Sequence, residues 1–149
     1  MRFVLLSLLG LLSGCANRTD QTQSTTTAST TTAAPETART VCYQRIEGRD
    51  TTTARLVITG AAVTGTLDLR PYQKDHATGS LRGTLTGDQL RADWQRTGEG
   101  TTQTHVLALT LTDKTLRWRE GERVEEQGKW VLKTPDAGYE YVLHQILCR

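Results

Sequence analysis

From Val41 onward the apolar residues recur at every second position, a period that a β-strand satisfies and an α-helix does not. Leu56 and Ile58 alternate against Arg55, Val57 and Thr59, and Val63, Gly65, Leu67 and Leu69 share one face while Thr64, Thr66, Asp68 and Arg70 share the other. Leu81-Gly83-Leu85, Leu90-Ala92-Trp94, Leu107-Leu109-Leu111 and Leu116-Trp118 continue the pattern. Turn signals punctuate these runs at Gly48-Arg49-Asp50, Gly60, the 70–78 segment, Gly87-Asp88, Gly98-Glu99-Gly100, Asp113-Lys114, Gly121, Gly128 and Pro135-Asp136-Ala137-Gly138. The spacing predicts eight or nine short strands over 41–47, 51–59, 61–70, 78–86, 89–97, 102–112, 115–120, 128–133 and 139–148. A meander with one apolar face has to curl to bury it, and Gly65, Gly79 and Gly83 offer places to bend sharply.

The first fifteen residues follow a different logic. Met1-Arg2 is a positive start, Phe3 to Leu12 an apolar run, and Ser13-Gly14 a pair of small residues. That run of about ten residues is well short of the roughly 20 needed to cross a bilayer as a helix. Leu12-Ser13-Gly14-Cys15 resembles the lipobox of bacterial lipoproteins. The resemblance implies that 1–14 is a signal peptide removed on export, that Cys15 is lipidated, and that two or three acyl chains hold the protein on a membrane, each buried CH₂ contributing about 0.8 kcal/mol. Ala16, rather than Asp, after the cysteine resembles the outer-membrane sorting pattern of proteobacterial lipoproteins. Residues 16–40 hold ten Thr and no large apolar side chain, so nothing there offsets the entropy of ordering. The segment 15–40 is expected to be a lipidated cysteine followed by a disordered linker, with an r.m.s. reach of about 25–30 Å.

With Cys15 assigned to lipid, Cys42 and Cys148 remain as an even pair in an exported chain, the condition under which a disulfide is expected. Closing a loop of about 106 residues would stabilise the domain by roughly 4–5 kcal/mol. The two cysteines fall in the first and last expected strands, which become neighbours only if the sheet closes on itself. Short connections point the same way, to sequential antiparallel neighbours. The expected fold of 41–149 is therefore all-β, a small antiparallel up-and-down β-barrel of about eight strands, lipocalin-like or similar. Trp94, Trp118 and Trp130 are expected in its core. Leu67, Leu69 and Leu109, with Trp94 and Trp118, predict a filled interior.

Cys42-Tyr43, Val63-Thr64-Gly65-Thr66-Leu67, Lys74-Asp75 with the following Gly79 and Gly83, Gly87-Asp88, Trp94 and Glu99-Gly100 form a spaced pattern. It resembles a group of small, uncharacterised bacterial lipoproteins, well over 42–100 and loosely to the terminal cysteine. Gln73 stands where that group tends to have an acid, and Thr97-Gly98 where it tends to have a serine. The resemblance implies an envelope lipoprotein and brings no activity with it.

Charge excludes one class of partner. The net charge of +2 comes from interspersed signs, as in Arg117, Arg119, Glu120, Glu122, Arg123, Glu125 and Glu126, which is not a nucleic-acid footprint. Lys74, Asp75 and His76 lie in the longest connection of the first half, and Glu99 sits between two glycines where it could face them across a barrel mouth. These four are the candidate binding residues, because loops held by a rigid sheet are where function concentrates. His105 and His144 could share a face, but two strand histidines lack the ligand number of a metal site, and neither a metal nor another cofactor is expected. No phosphate loop, Gly-x-Ser-x-Gly or His-Glu-x-x-His motif is present, so no catalytic residue is assigned. The expectation is a monomeric, non-enzymatic envelope module, either structural or binding an envelope protein or small ligand. A periplasmic lysozyme-inhibitor-like protein and a pocket-bearing small-ligand carrier are the alternatives.

Overall fold

The computed structural model describes residues 36–149. The expected signal peptide, Cys15 and most of the threonine-rich linker lie outside the described residues. Within them the chain forms ten strands: β1 (Arg39–Glu47), β2 (Asp50–Thr59), β3 (Ala62–Arg70), β4 (Ala77–Thr86), β5 (Gln89–Gly98), β6 (Thr101–Leu111), β7 (Thr115–Glu120), β8 (Arg123–Glu126), β9 (Lys129–Leu132) and β10 (Tyr139–Ile146). Eight of them close a ring in the order β1-β2-β3-β4-β5-β6-β7-β10, every neighbour antiparallel, with β10 returning to β1 through Cys42 opposite Ile146 and Gln44 opposite His144. The protein is a closed eight-stranded antiparallel β-barrel with an added hairpin. Closure leaves no bare edge along β1 or β10, as a flat meander of the same strands would.

The alternation read from sequence sets the inward face. Leu56, Leu67, Leu116 and Leu143 are fully buried, and Tyr43, Val63, Leu90, Trp94, Leu107 and Leu109 nearly so. At roughly 1.5–3 kcal/mol for each large apolar side chain removed from water, this column is the main force that holds the barrel together. Trp94 and Trp118 lie in it as expected, whereas Leu69 is only partly buried, near one end. The expected bends involve real close approaches: a Cβ on Gly65 would overlap the Arg55 carbonyl oxygen, and one on Gly79 would overlap that of Gln95. At Gly79 the β4–β5 ladder also lapses, running from Thr78 opposite Thr97 to Leu81 opposite Trp94 with nothing paired between.

Three expectations are corrected. A single strand over 128–133 was expected to take its turn in the meander, but 123–132 instead forms the β8–β9 hairpin, inserted between ring strands β7 and β10. The cause lies along β6. Its first edge is paired with β5 throughout, and its second meets β7 only at Leu109 to Leu111; where β7 has departed, β9 takes over in parallel at His105 opposite Trp130. Trp130 is therefore half-buried on the hairpin and not in the core. The last strand ends at Ile146, so Cys148 lies two residues beyond it.

Cys42 and Cys148 form a disulfide, their Cα atoms 5.3 Å apart and 106 positions apart in the chain. It stands beside the β1–β10 seam, at the end of the barrel where β1 begins and β10 ends. Replacing both cysteines by serine should remove about 4–5 kcal/mol of unfolding free energy, the loop-closure contribution of so long a segment. Urea titration of the oxidised protein and the double variant, followed by tryptophan fluorescence, checks this; equal midpoints would mean that the β1–β10 ladder closes the barrel without help.

Candidate functional site

The interior is filled through its middle but opens at the end away from the disulfide. There the inward phase of the strands continues beyond the core with polar side chains. Val41 and Tyr43 are followed on the same face by Arg45, and Leu90, Ala92 and Trp94 by Arg96. The result is a cleft of about 410 Å³, a size usual for small-molecule sites, at the barrel mouth. Arg45, Thr52, Leu69, Ala77, Arg96 and Tyr141 form its walls, and Glu47, Asp50, Arg70, Asp75 and Tyr139 its rim.

β7 and β10 supply a stacked aromatic wall. Tyr141 lies flat on Trp118, with ring centroids 4.8 Å apart and planes within 5°, and Tyr139 meets Tyr141 edge-on at 5.1 Å. Arg45 spans the two tyrosines, its guanidinium 5.0 Å from the Tyr139 ring and 5.4 Å from that of Tyr141. It also donates to the Tyr139 hydroxyl and pairs with Glu47, so its geometry is set from three sides. Burial, with the charge of Glu120 adding to it, pushes the Tyr141 phenol above its usual range, so the ring stays neutral. On the opposite wall the Arg96 guanidinium stands 6.0 Å from the Trp94 ring. Across the rim, Asp50 accepts the backbone N–H of Tyr72 at 2.7 Å, while Arg49 lies 3.4 Å from the Tyr72 ring centroid. These contacts hold the β3–β4 connection against the β1–β2 turn.

Of the four residues expected in binding loops, Asp75 lines the cleft. Lys74 and His76 share its connection but are exposed, and neither is part of the lining. Glu99 is also exposed, at the tip of the two-residue β5–β6 turn, where its φ of 52° is left-handed. The two loops do come together, since a Cβ on Gly98 would stand 3.1 Å from the His76 carbonyl oxygen. Arg45, Arg96, Tyr139 and Tyr141 were not anticipated, although Arg45 and Arg96 continue the inward count of their strands.

Below the mouth, His105 and His144 do not share a face: His105 faces inward and is buried, while His144 is exposed on the outer face. Among the described residues no three potential ligands gather around a metal position. His105 packs edge-on against Trp94 at 5.9 Å and tilted against Trp130 at 6.4 Å. Its Nε2 is 3.3 Å from Gln103 Oε1, an arrangement suited to Nε2–H donating, and its Nδ1 is buried with no partner. Burial, with Arg123 and Arg96 adding positive charge, lowers its pKa to about 4.

Arg123 fastens the hairpin to this wall. It donates from Nε and Nη2 to the Glu120 carboxylate at 3.1 Å and from Nη1 to the carbonyls of Val106 and Trp130 at 3.2 and 3.0 Å. Glu120 in turn accepts the Trp118 indole N–H at 3.2 Å. One guanidinium thus ties β6, β7, β8 and β9 together below the aromatic wall.

Because folded His105 resists protonation until about pH 4, whereas the unfolded chain protonates it near 6.5, its contribution to stability is complete above pH 6.5 and is lost as the pH falls towards 4. Between pH 7 and 4.5 the wild type should lose about 2 kcal/mol more than a His105→Gln variant, by urea unfolding at the two pH values. Equal losses would show that His105 is accessible to protons in the folded state. Comparison of the chain with protein-family models, with curated proteins and with solved structures finds no match in any of the three.

Proposed function

We propose that this protein is a lipid-anchored, non-enzymatic binding module of the bacterial cell envelope, tethered through Cys15 to a membrane, by its Ala16 the outer one, and presenting the barrel mouth to its ligand. The observation that carries the binding half of this reading is the cleft itself. Inward positions that could have held leucines hold Arg45 and Arg96, and the Arg96 guanidinium, which has no ion pair there among the described residues, gives up solvation that a ligand can restore. Its side chains are of the kinds that recognise through charge, hydrogen bonds and ring faces. The anchoring half rests on Leu12-Ser13-Gly14-Cys15 and on the linker that follows.

Among the alternatives, a small-ligand carrier fits the mouth. A lysozyme-inhibitor type of action would rely on a projecting loop, and the longest connection in the first half of the barrel, 71–76, is held down by the contact of Asp50 with Tyr72.

The two halves are tested separately. Expressed from its first methionine in a bacterium, the full chain should partition into detergent and carry the mass of a diacylglyceryl group on a new N-terminal cysteine. Cys15→Ser should abolish both, and an unmodified wild-type mass would end the lipoprotein reading. For the mouth, the purified protein is incubated with envelope extract and the retained molecules are identified by mass spectrometry. A species held by the wild type and released from Arg45→Ala/Arg96→Ala is the expected result. Identical retention by both proteins, or none by either, would leave the barrel a structural element.

A further inference from the structure

The charges at the mouth are balanced yet incompletely paired. Arg45 is satisfied by Glu47 and Tyr139. That leaves Arg70 and Arg96 on the positive side, Asp50 and Asp75 on the negative. None of these four enters an ion pair among the described residues, and only Asp50 has a hydrogen bond, from a backbone N–H. Arg96 is half-buried against Trp94, so water reaches it only in part. The same lining includes apolar and aromatic surface, from Leu69, Ala77 and Tyr141.

Resting on the reading of the mouth as a binding site, we propose that its ligand is a zwitterion on an apolar frame, an amino acid or the ends of a short peptide, whose carboxylate meets Arg96 and whose ammonium meets Asp75. Such a ligand satisfies both unpaired signs at once. A simple anion would meet Arg96 but face Asp50 and Asp75, and a simple cation would meet Asp75 but face Arg70 and Arg96, the like-charge juxtaposition by which sites reject wrong partners. The apolar part of the ligand would lie against Leu69 and Ala77, with the Tyr141 face as its edge. Arg96 presents a planar fork suited to the two oxygens of a carboxylate.

Isothermal titration of the full chain in detergent micelles tests this with probes that share one frame. Phenylalanine carries both charges, phenethylamine the ammonium only, 3-phenylpropionate the carboxylate only, and alanylphenylalanine both charges farther apart. A charge-assisted hydrogen bond contributes on the order of 10-fold or more in affinity. One of the two zwitterions should therefore bind at least about tenfold more tightly than either single-charge probe. Which of them does so distinguishes a free amino acid from a peptide. Arg96→Gln should bring that zwitterion down to the level of phenethylamine, and Asp75→Asn to the level of 3-phenylpropionate, with thermal midpoints unchanged to show that the barrel is intact. Equal or tighter binding of 3-phenylpropionate would overturn the proposal in favour of an anion site. No heat from any probe would overturn it too, while a species captured from envelope extract through Arg45 and Arg96 would still uphold the mouth as a binding site.

Discussion

The pairing of β1 with β10 is the constraint on which everything else depends. Eight strands with one apolar face can bury that face only by closing, and closure occurs at this seam, through Cys42 opposite Ile146 and the neighbouring pairs. The same two strands supply Tyr43 and Leu143 to the core and Arg45, Tyr139 and Tyr141 to the mouth. An open seam would cost the core two of its walls and split the aromatic side of the cleft from its arginine. The disulfide acts on this ladder from the far end, by shortening the unfolded chain's search for it.

A second sparsely paired place in the ring lies between β6 and β7. β6 shares only three residue pairs with β7, and the stretch so exposed is covered by the β8–β9 hairpin. A guanidinium can take several acceptors in one plane, which is why Arg123 can join Glu120 to two backbone carbonyls of different strands. Outside the barrel Lys129 meets Asp93 of β5 at 2.6 Å, an exposed and weaker contact. His105 stays neutral beneath this junction because its surroundings exclude water and already carry positive charge.

The alternation from Val41 onward made the ring strands legible, since a half-buried strand writes its inward face into every second residue. It did not reveal β8, because Arg123-Val124-Glu125-Glu126 faces no core and carries no apolar repeat. Trp130 was misplaced for a related reason: its hairpin lies outside the ring, where the inward-outward count of the barrel no longer applies. The mouth was legible in part. Counting Val41, Tyr43, Arg45 or Trp94, Arg96 places a charge on the inner face, whereas of the four loop residues Asp75 alone lines the cleft. Which inward residues stand at an end and which at the centre depends on strand stagger, and stagger is set by pairing that no single strand encodes.

The positions of the chain ends have a mechanical consequence. β1 begins three residues before Cys42 and runs the length of the barrel to Glu47 at the mouth. Tension directed along β1 from its start loads both of its ladders, to β2 and to β10, in parallel shear. Many hydrogen bonds must then yield together, unlike a strand peeled from its end. Cys42 passes part of that load directly to Cys148, so the first few residues of β1 take the strain and the half that carries Arg45 is spared.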